Sequence, residues 1–199
     1  AGKLPPGTYG VKVSHNNKSD ELPSVLEIIE GGTPKFETRL VLPSAFGYHQ
    51  LATVYVEYEN TGNASMPAPL LVVTASQNGK AGAMMTLDQT RLSSGFWTSV
   101  MPEGFANSVQ FIASGKIPGV LQPGESGRVP VYYAGWQQPW DMSYPPFNWN
   151  VLVLDANNTS PVAWADLKDD MYPSYIRQDA WDIVWNNFTS QAGTTWGDY

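Results

Sequence analysis

LATVYVEYENTGNASMPAPLLVV, residues 51–73, decides the fold. Its first half alternates: Ala52, Val54, Val56 and Tyr58 fall on one face, Thr53, Tyr55, Glu57 and Glu59 on the other. A period of two with one apolar face predicts a half-buried antiparallel strand. Thr61-Gly62-Asn63 breaks the run, with Gly62 able to take a positive φ and Asn63 tolerant of one. Pro67 and Pro69 stiffen the connection, and PLLVVTA, residues 69–75, resumes as the next strand. Strand, rigid turn and strand suit a scaffold better than a reaction centre.

Downstream the same grammar repeats. SQNGKAG contains Asn78-Gly79, a strong hairpin signal. MMTLDQTRLSSGFWTSVMPEGFANS, residues 84–108, shows no regular period and predicts a long connection. SVQFIAS reads as a strand; a turn at Gln122-Pro123-Gly124-Glu125 leads into another through Val129, Val131 and Tyr133; FNWNVLVLDANN supplies one more. Upstream, residues 7–30 read as a hairpin: Tyr9, Val11 and Val13 alternate with polar positions, HNNKSDE turns, and SVLEII resumes the apolar run. A lone hairpin is marginal in water, so it must lean on something. Gly31-Gly32-Thr33-Pro34 reads as the linker that follows. The tail changes character. Ala180, Trp181, Val184, Trp185 and Phe188 recur at helical spacing, Asp179 and Asp182 sit near the positive end of the helix dipole, and Gly193 is a plausible stop. Leaving that aromatic stripe in water would be costly, so the helix should dock on the sandwich or on a neighbour.

Two stretches carry resemblances. GTYGVKV followed by a polar turn resembles the last hairpin of the Ig-like IPT/TIG domains. Asn60-Thr61-Gly62, followed later by Leu121, Pro123, Gly124, Glu125 and Ser126, resembles CARDB-type bacterial Ig-like domains. The resemblances imply an IPT/TIG-like hairpin and linker over 1–32 and a CARDB-like, Ig-like antiparallel β-sandwich over 33–173; with the amphipathic helical tail that the spacing predicts over 174–199, the chain is expected to be mainly β and in three parts. They also imply a bacterial protein at the cell surface or outside the cell.

Composition bounds the partners. The chain has 199 residues, enough for one well-buried core, with 13% aromatic residues and only 15% charged ones. A net charge of -7 without any basic run argues against nucleic acid and against anionic membrane surfaces. No cysteine is present, which removes disulfides, thiolate metal sites and cysteine nucleophiles. No apolar run approaches the ~20 residues of a membrane span, and the N-terminal AGKLPPGTYG has no signal-peptide core. A signal for export would lie outside these residues.

The candidate chemistry is sparse. His15 and His49 lie far apart, with no H-x-H or H-E-x-x-H spacing, and G-x-S-x-G is missing. His49 is expected at a strand end, hydrogen-bonded or wet. Asp155, and Asp166, Asp169 and Asp170 in an acidic loop 166–170, could offer oxygen ligands to Ca²⁺, though without EF-hand spacing. No opposed carboxylate pair for glycoside cleavage is evident. Five N-glycosylation patterns begin at Asn17, Asn63, Asn157, Asn158 and Asn187, and in a bacterium they are expected to be chance.

The aromatic stretch 132–149, YYAGWQQPWDMSYPPFNW, is the most informative cluster. It holds seven rings among Gln, Asn and Asp, stiffened by three prolines. Sugar rings lay their C–H faces on indole and phenol rings while amides and carboxylates take the hydroxyls, so Trp136, Trp140, Tyr144 and Trp149 form a candidate carbohydrate platform. The competing reading is that these rings plug one end of the sandwich or receive the helix stripe. Pro neighbours mark Trp140 and Tyr144 as the exposed candidates. The sequence therefore points to a non-catalytic structural or adhesion module of a bacterial cell-surface or secreted protein. Its partners would be copies of itself, head to tail in a fibre, or neighbouring domains of a larger polypeptide. The alternative is a carbohydrate-binding module that holds polysaccharide. No catalytic residue, metal or cofactor is assigned; a hydrolase, resting only on the acidic clusters, ranks third.

Overall fold

The computed structural model describes residues 4–16, 18–28, 30–172 and 176–199. The protein is mainly β, an antiparallel sandwich carrying an N-terminal hairpin and a C-terminal helix. Strands β1 (Gly7–His15) and β2 (Lys18–Ile28) form the hairpin. The body follows as β3 (Phe36–Val41), β4 (Ala52–Asn60), β5 (Met66–Pro67), β6 (Leu70–Gln77), β7 (Lys80–Ala81) and β8 (Ala83–Thr86). Then come β9 (Ser108–Ile112), β10 (Val120–Leu121), β11 (Ser126–Trp136) and β12 (Asn148–Leu154), and two helices, α1 (Trp164–Asp170) and α2 (Gln178–Ala192).

One sheet runs β3-β4-β11-β8, the order of the four-stranded sheet of immunoglobulin-type sandwiches. The facing sheet centres on β6, with β12 along one side and β7 and β9 along the other. The expected alternation of β4 holds: Val54, Val56 and Tyr58 are buried and meet Val131 and Tyr133 of β11 and Leu71, Val73 and Ala75 of β6 in one core. Asn78 and Gly79 both take positive φ between β6 and β7, as a two-residue hairpin turn requires.

Several expectations are corrected. The segment 84–108 is not wholly a connection, because Ala83–Thr86 is a strand, all four residues buried. Gly135, at φ 138°, bulges β11 between Tyr133 and Trp136 and lets Met84 pack beneath it, so β8 is covered on both faces and shows no alternation. Gly62 does not take a positive φ. A Cβ there would lie 2.3 Å from Thr33 O, so glycine is required by the close approach of the linker. The polar turn of the hairpin is shorter than HNNKSDE, since β1 runs to His15 and β2 begins at Lys18. Residues 166–170 are helix α1 rather than a loop. The expected boundary at 173/174, and Asn17 of the first glycosylation pattern, lie outside the described residues.

The helix stripe also needs revision. Trp181 and Trp185 of α2 are buried, but Val184 is 48% exposed. α2 docks on α1 and the C-terminal turn rather than flat on the sandwich. Trp164 meets Trp185, Phe188 and Tyr199 edge-on at 6.1, 5.4 and 5.5 Å, and Trp181 Nε1 donates to Lys168 O at 3.2 Å. Gln110 of β9 hydrogen-bonds the Tyr199 hydroxyl, tying this unit to the sheet. No helix among the described residues is long and apolar enough to cross a membrane.

The hairpin stands apart. Its apolar side chains on both faces, Val11, Val13, Leu22, Val25 and Leu26, are exposed.

Candidate functional site

At one end of the sandwich, the β3–β4 loop, the irregular stretch after β8, the end of β11 and the loop leading to β12 converge. Backbone bonds fix them: Trp136 N donates to Tyr48 O at 2.6 Å, Phe96 N to Ala134 O at 3.0 Å, and Gln138 N to Thr98 O at 2.9 Å. Here the aromatic residues collect.

The four rings of the sequence-predicted platform separate into two pairs. Trp136 is buried, stacked on Phe147 at 4.8 Å and 12°, with Gly82 leaving room for its indole: a Cβ at Gly82 would lie 2.4 Å from Trp136 Nε1. Trp149 packs on the core against Phe46 at 4.9 Å, and its buried Nε1 has no hydrogen-bond partner among the described residues. Trp136 can offer no ring face to a ligand, while Trp149 is partly buried with one side of its indole on Phe46. Trp140 is half-buried, stacked on Tyr48 at 5.1 Å and 18°, with its Nε1 donating to Trp136 O at 3.0 Å. Tyr144 stacks on Tyr48 from 5.2 Å and is 70% exposed.

Two further residues belong to the surface that the sequence did not single out as a platform. The exposed His49 ring lies 4.3 Å from Trp97 and 5.9 Å from Trp140. Trp97 leans on Trp140 at 4.6 Å and is 61% exposed. The only signal for Trp97 was an aromatic inside an aperiodic stretch. His49 is wet, as expected, but it lies in the β3–β4 loop rather than at a strand end, and it packs on indoles. His15, at the end of β1, is exposed on the hairpin.

Polar groups hold the Tyr144 loop. Asp141 accepts from Ser143 N at 2.9 Å, Ser143 Oγ at 2.6 Å and Asn78 Nδ2 at 2.8 Å, and these bonds hold its carboxyl below the usual aspartate range. Tyr48 OH donates to Asp141 O at 2.6 Å. Tyr144 N closes the turn onto Asp141 O at 3.0 Å, and Tyr144 itself takes φ 53°. Beneath it a cleft of about 370 Å³ is lined by Phe46, Tyr48, Tyr144, Phe147, Gln77 and Ser44, among others. Gln77 is 5% exposed and donates from Nε2 to Pro145 O at 2.8 Å.

A second, larger groove of about 750 Å³ lies along β3, β4 and β11. Its two arginines converge on one of its three carboxylates. Arg39 Nε and Arg128 Nε flank the Glu57 carboxylate at 2.6 and 3.5 Å, and Arg128 lies 3.9 Å over the Tyr55 ring. This is a solvated charged face. The calcium candidates do not converge: Asp155 caps its own turn by accepting from Asn157 N, and Asp166 and Asp169 lie on α1. Among the described residues no cluster of three or more His, Asp or Glu is arranged to hold a metal.

No family model matches the chain, and no curated protein matches it. Among solved structures, one described as "AvmM Catalyzes Macrocyclization in Alchivemycin A Biosynthesis" is 12% identical, covers 60% of this chain and 88% of its own, and has a TM-score of 0.33. A likeness of that size carries no argument about fold or activity.

Proposed function

We propose that the chain is a non-catalytic structural or adhesion module of a bacterial cell-surface or secreted protein, joined to a neighbouring body through its N-terminal hairpin. The observation that carries this reading is the hairpin itself. Val11, Val13, Leu22, Val25 and Leu26 leave apolar surface in water on a two-stranded ribbon, which is marginal alone. Contact with a second copy, head to tail, or with an adjoining domain of the same polypeptide would bury that surface. The resemblances to IPT/TIG and CARDB modules support the location and the role.

The carboxyl groups point the same way. Among the described residues, each carboxyl with a displaced pKa, Glu37, Asp88, Glu125, Asp141, Asp182 and Asp198, is held below its ordinary range by N–H groups, hydroxyls or cations. A general acid needs the opposite displacement. These groups serve as structural anions.

Light scattering of the intact chain, combined with limited proteolysis, tests the reading. The expected result is self-association, or preferential cleavage within residues 7–28 with the sandwich left whole. A monodisperse monomer whose hairpin resists protease would overturn it.

A further inference from the structure

We infer that the end of the sandwich bearing Trp97 and Tyr144 is a glycan-binding surface for a neutral oligosaccharide chain, one pyranose lying on Tyr144 at the mouth of the cleft and another on Trp97. This stands apart from the assembly role, which uses the hairpin.

The argument begins with the rings. Tyr144 and Trp97 each rest against other rings yet remain 70% and 61% exposed, so most of each side chain is open to a ligand. A bare aromatic face is apolar and polarisable, and it suits the axial C–H face of a pyranose, whose hydroxyls project sideways. The rings are also held in advance. Tyr48, only 7% exposed, carries both Tyr144 and Trp140, and Asp141 locks the turn through three hydrogen bonds. Little conformational entropy is left to lose on binding. Tyr144 takes a left-handed φ of 53°, which costs energy for a bulky residue and recurs where a side chain is held for use.

The cleft supplies the polar partner. Its volume of about 370 Å³ falls in the range of small-ligand sites. Gln77, nine-tenths buried, lines it with one end of its amide committed to Pro145 O, and no hydrogen bond from a described residue reaches the other end. Ser44, also in the lining, adds a hydroxyl. An amide oxygen and a hydroxyl beside an exposed ring match a polyhydroxylated, uncharged ring.

Two other aromatic-binding ligands fit less well. A proline-rich helix inserts between aromatic ridges. Here Tyr48 stacks closely with Tyr144 at 5.2 Å and with Trp140 at 5.1 Å, leaving no slot between those rings. An organic cation prefers rings that converge around it, whereas His49 occupies the angle between Trp97 and Trp140.

The test uses the intact chain with insoluble cellulose, chitin and peptidoglycan, followed by titration with the matching soluble oligosaccharides. Retention on at least one polymer is expected, with affinity rising as the oligosaccharide lengthens. Trp97→Ala and Tyr144→Ala should each weaken binding about tenfold, as loss of one stacking contact does, without lowering the melting temperature. Trp97→Ala is the deciding variant because Trp97 lines no part of the cleft and belongs to no part of the core, and Trp97→Phe should restore part of the binding. Retention on none of the three polymers would overturn the assignment. So would retention indifferent to both alanine variants, or capture only by a polyproline or choline resin.

Discussion

Asn60 makes four hydrogen bonds with one fully buried amide. Its Oδ1 accepts from Lys35 N at 3.2 Å and Gly62 N at 3.1 Å, and its Nδ2 donates to Ala64 O at 2.8 Å and Leu121 O at 3.1 Å. Its backbone joins the same knot, since Asn60 N donates to Glu125 O and Asn60 O accepts from Gly124 N. The Asn-Thr-Gly motif and the later Leu-x-Pro-Gly-Glu-Ser motif thus meet in space, clamped by one side chain. Asn60→Ala strips four partners in a dry site and should cost about 2–4 kcal/mol, read as a lowered urea midpoint with an unchanged slope. The motif residues were legible in the sequence; their mutual bonding was not, because it depends on how segments distant along the chain come together. The reason for Gly62 was equally hidden, since close approach of the linker leaves no local signature.

At the scale of elements, alternation exposed β4, and apolar runs exposed β6, β9, β11 and β12, because each has one face on the core and one toward water or a cover. Burial on both faces erased the period of β8. The same reasoning separates the rings. Trp136 and Trp140 are four residues apart in one aromatic stretch, and only the stacking of Phe147 on the first and of Tyr48 on the second assigns one to the core and the other to the rim. The helical unit is separable in energy as well. Trp181 and Trp185 share no place in the sandwich core, whose members run from Tyr48 to Trp136. Trp185→Ala should therefore abolish the α2 signal in far-UV circular dichroism while the sandwich keeps its cooperative transition, since a buried Trp→Ala change costs about 3–5 kcal/mol, more than so small a cluster can absorb. Loss of both signals together would show the two units to be one cooperative body.

Across the whole molecule, charge sets a window of stability. Among the described residues, six carboxyls spread from Glu37 to Asp198 have folded pKa values below their ordinary ones, Glu125 chiefly through the N–H groups of Gln122 and Lys116. A depressed carboxyl contributes stability that is complete above its unfolded value, here 3.8 for Asp and 4.5 for Glu, and is lost as pH falls through the folded value. Burial raises Tyr58 and Tyr133 above their ordinary value of 10.0, so their contribution is complete below that value and declines on the alkaline side. Melting temperatures should form a plateau between these limits and fall at both ends, and Glu125→Gln should lower the plateau while flattening the acid limb. The burial of β8 has a further consequence, carried by sulfur. Met84 and Met85 are sealed at zero exposure, while Met142 stands 68% open beside the rings. An oxidant reaching the native protein marks Met142 first, and a sulfoxide on either member of the sealed pair dates the moment when β8 parted from β11.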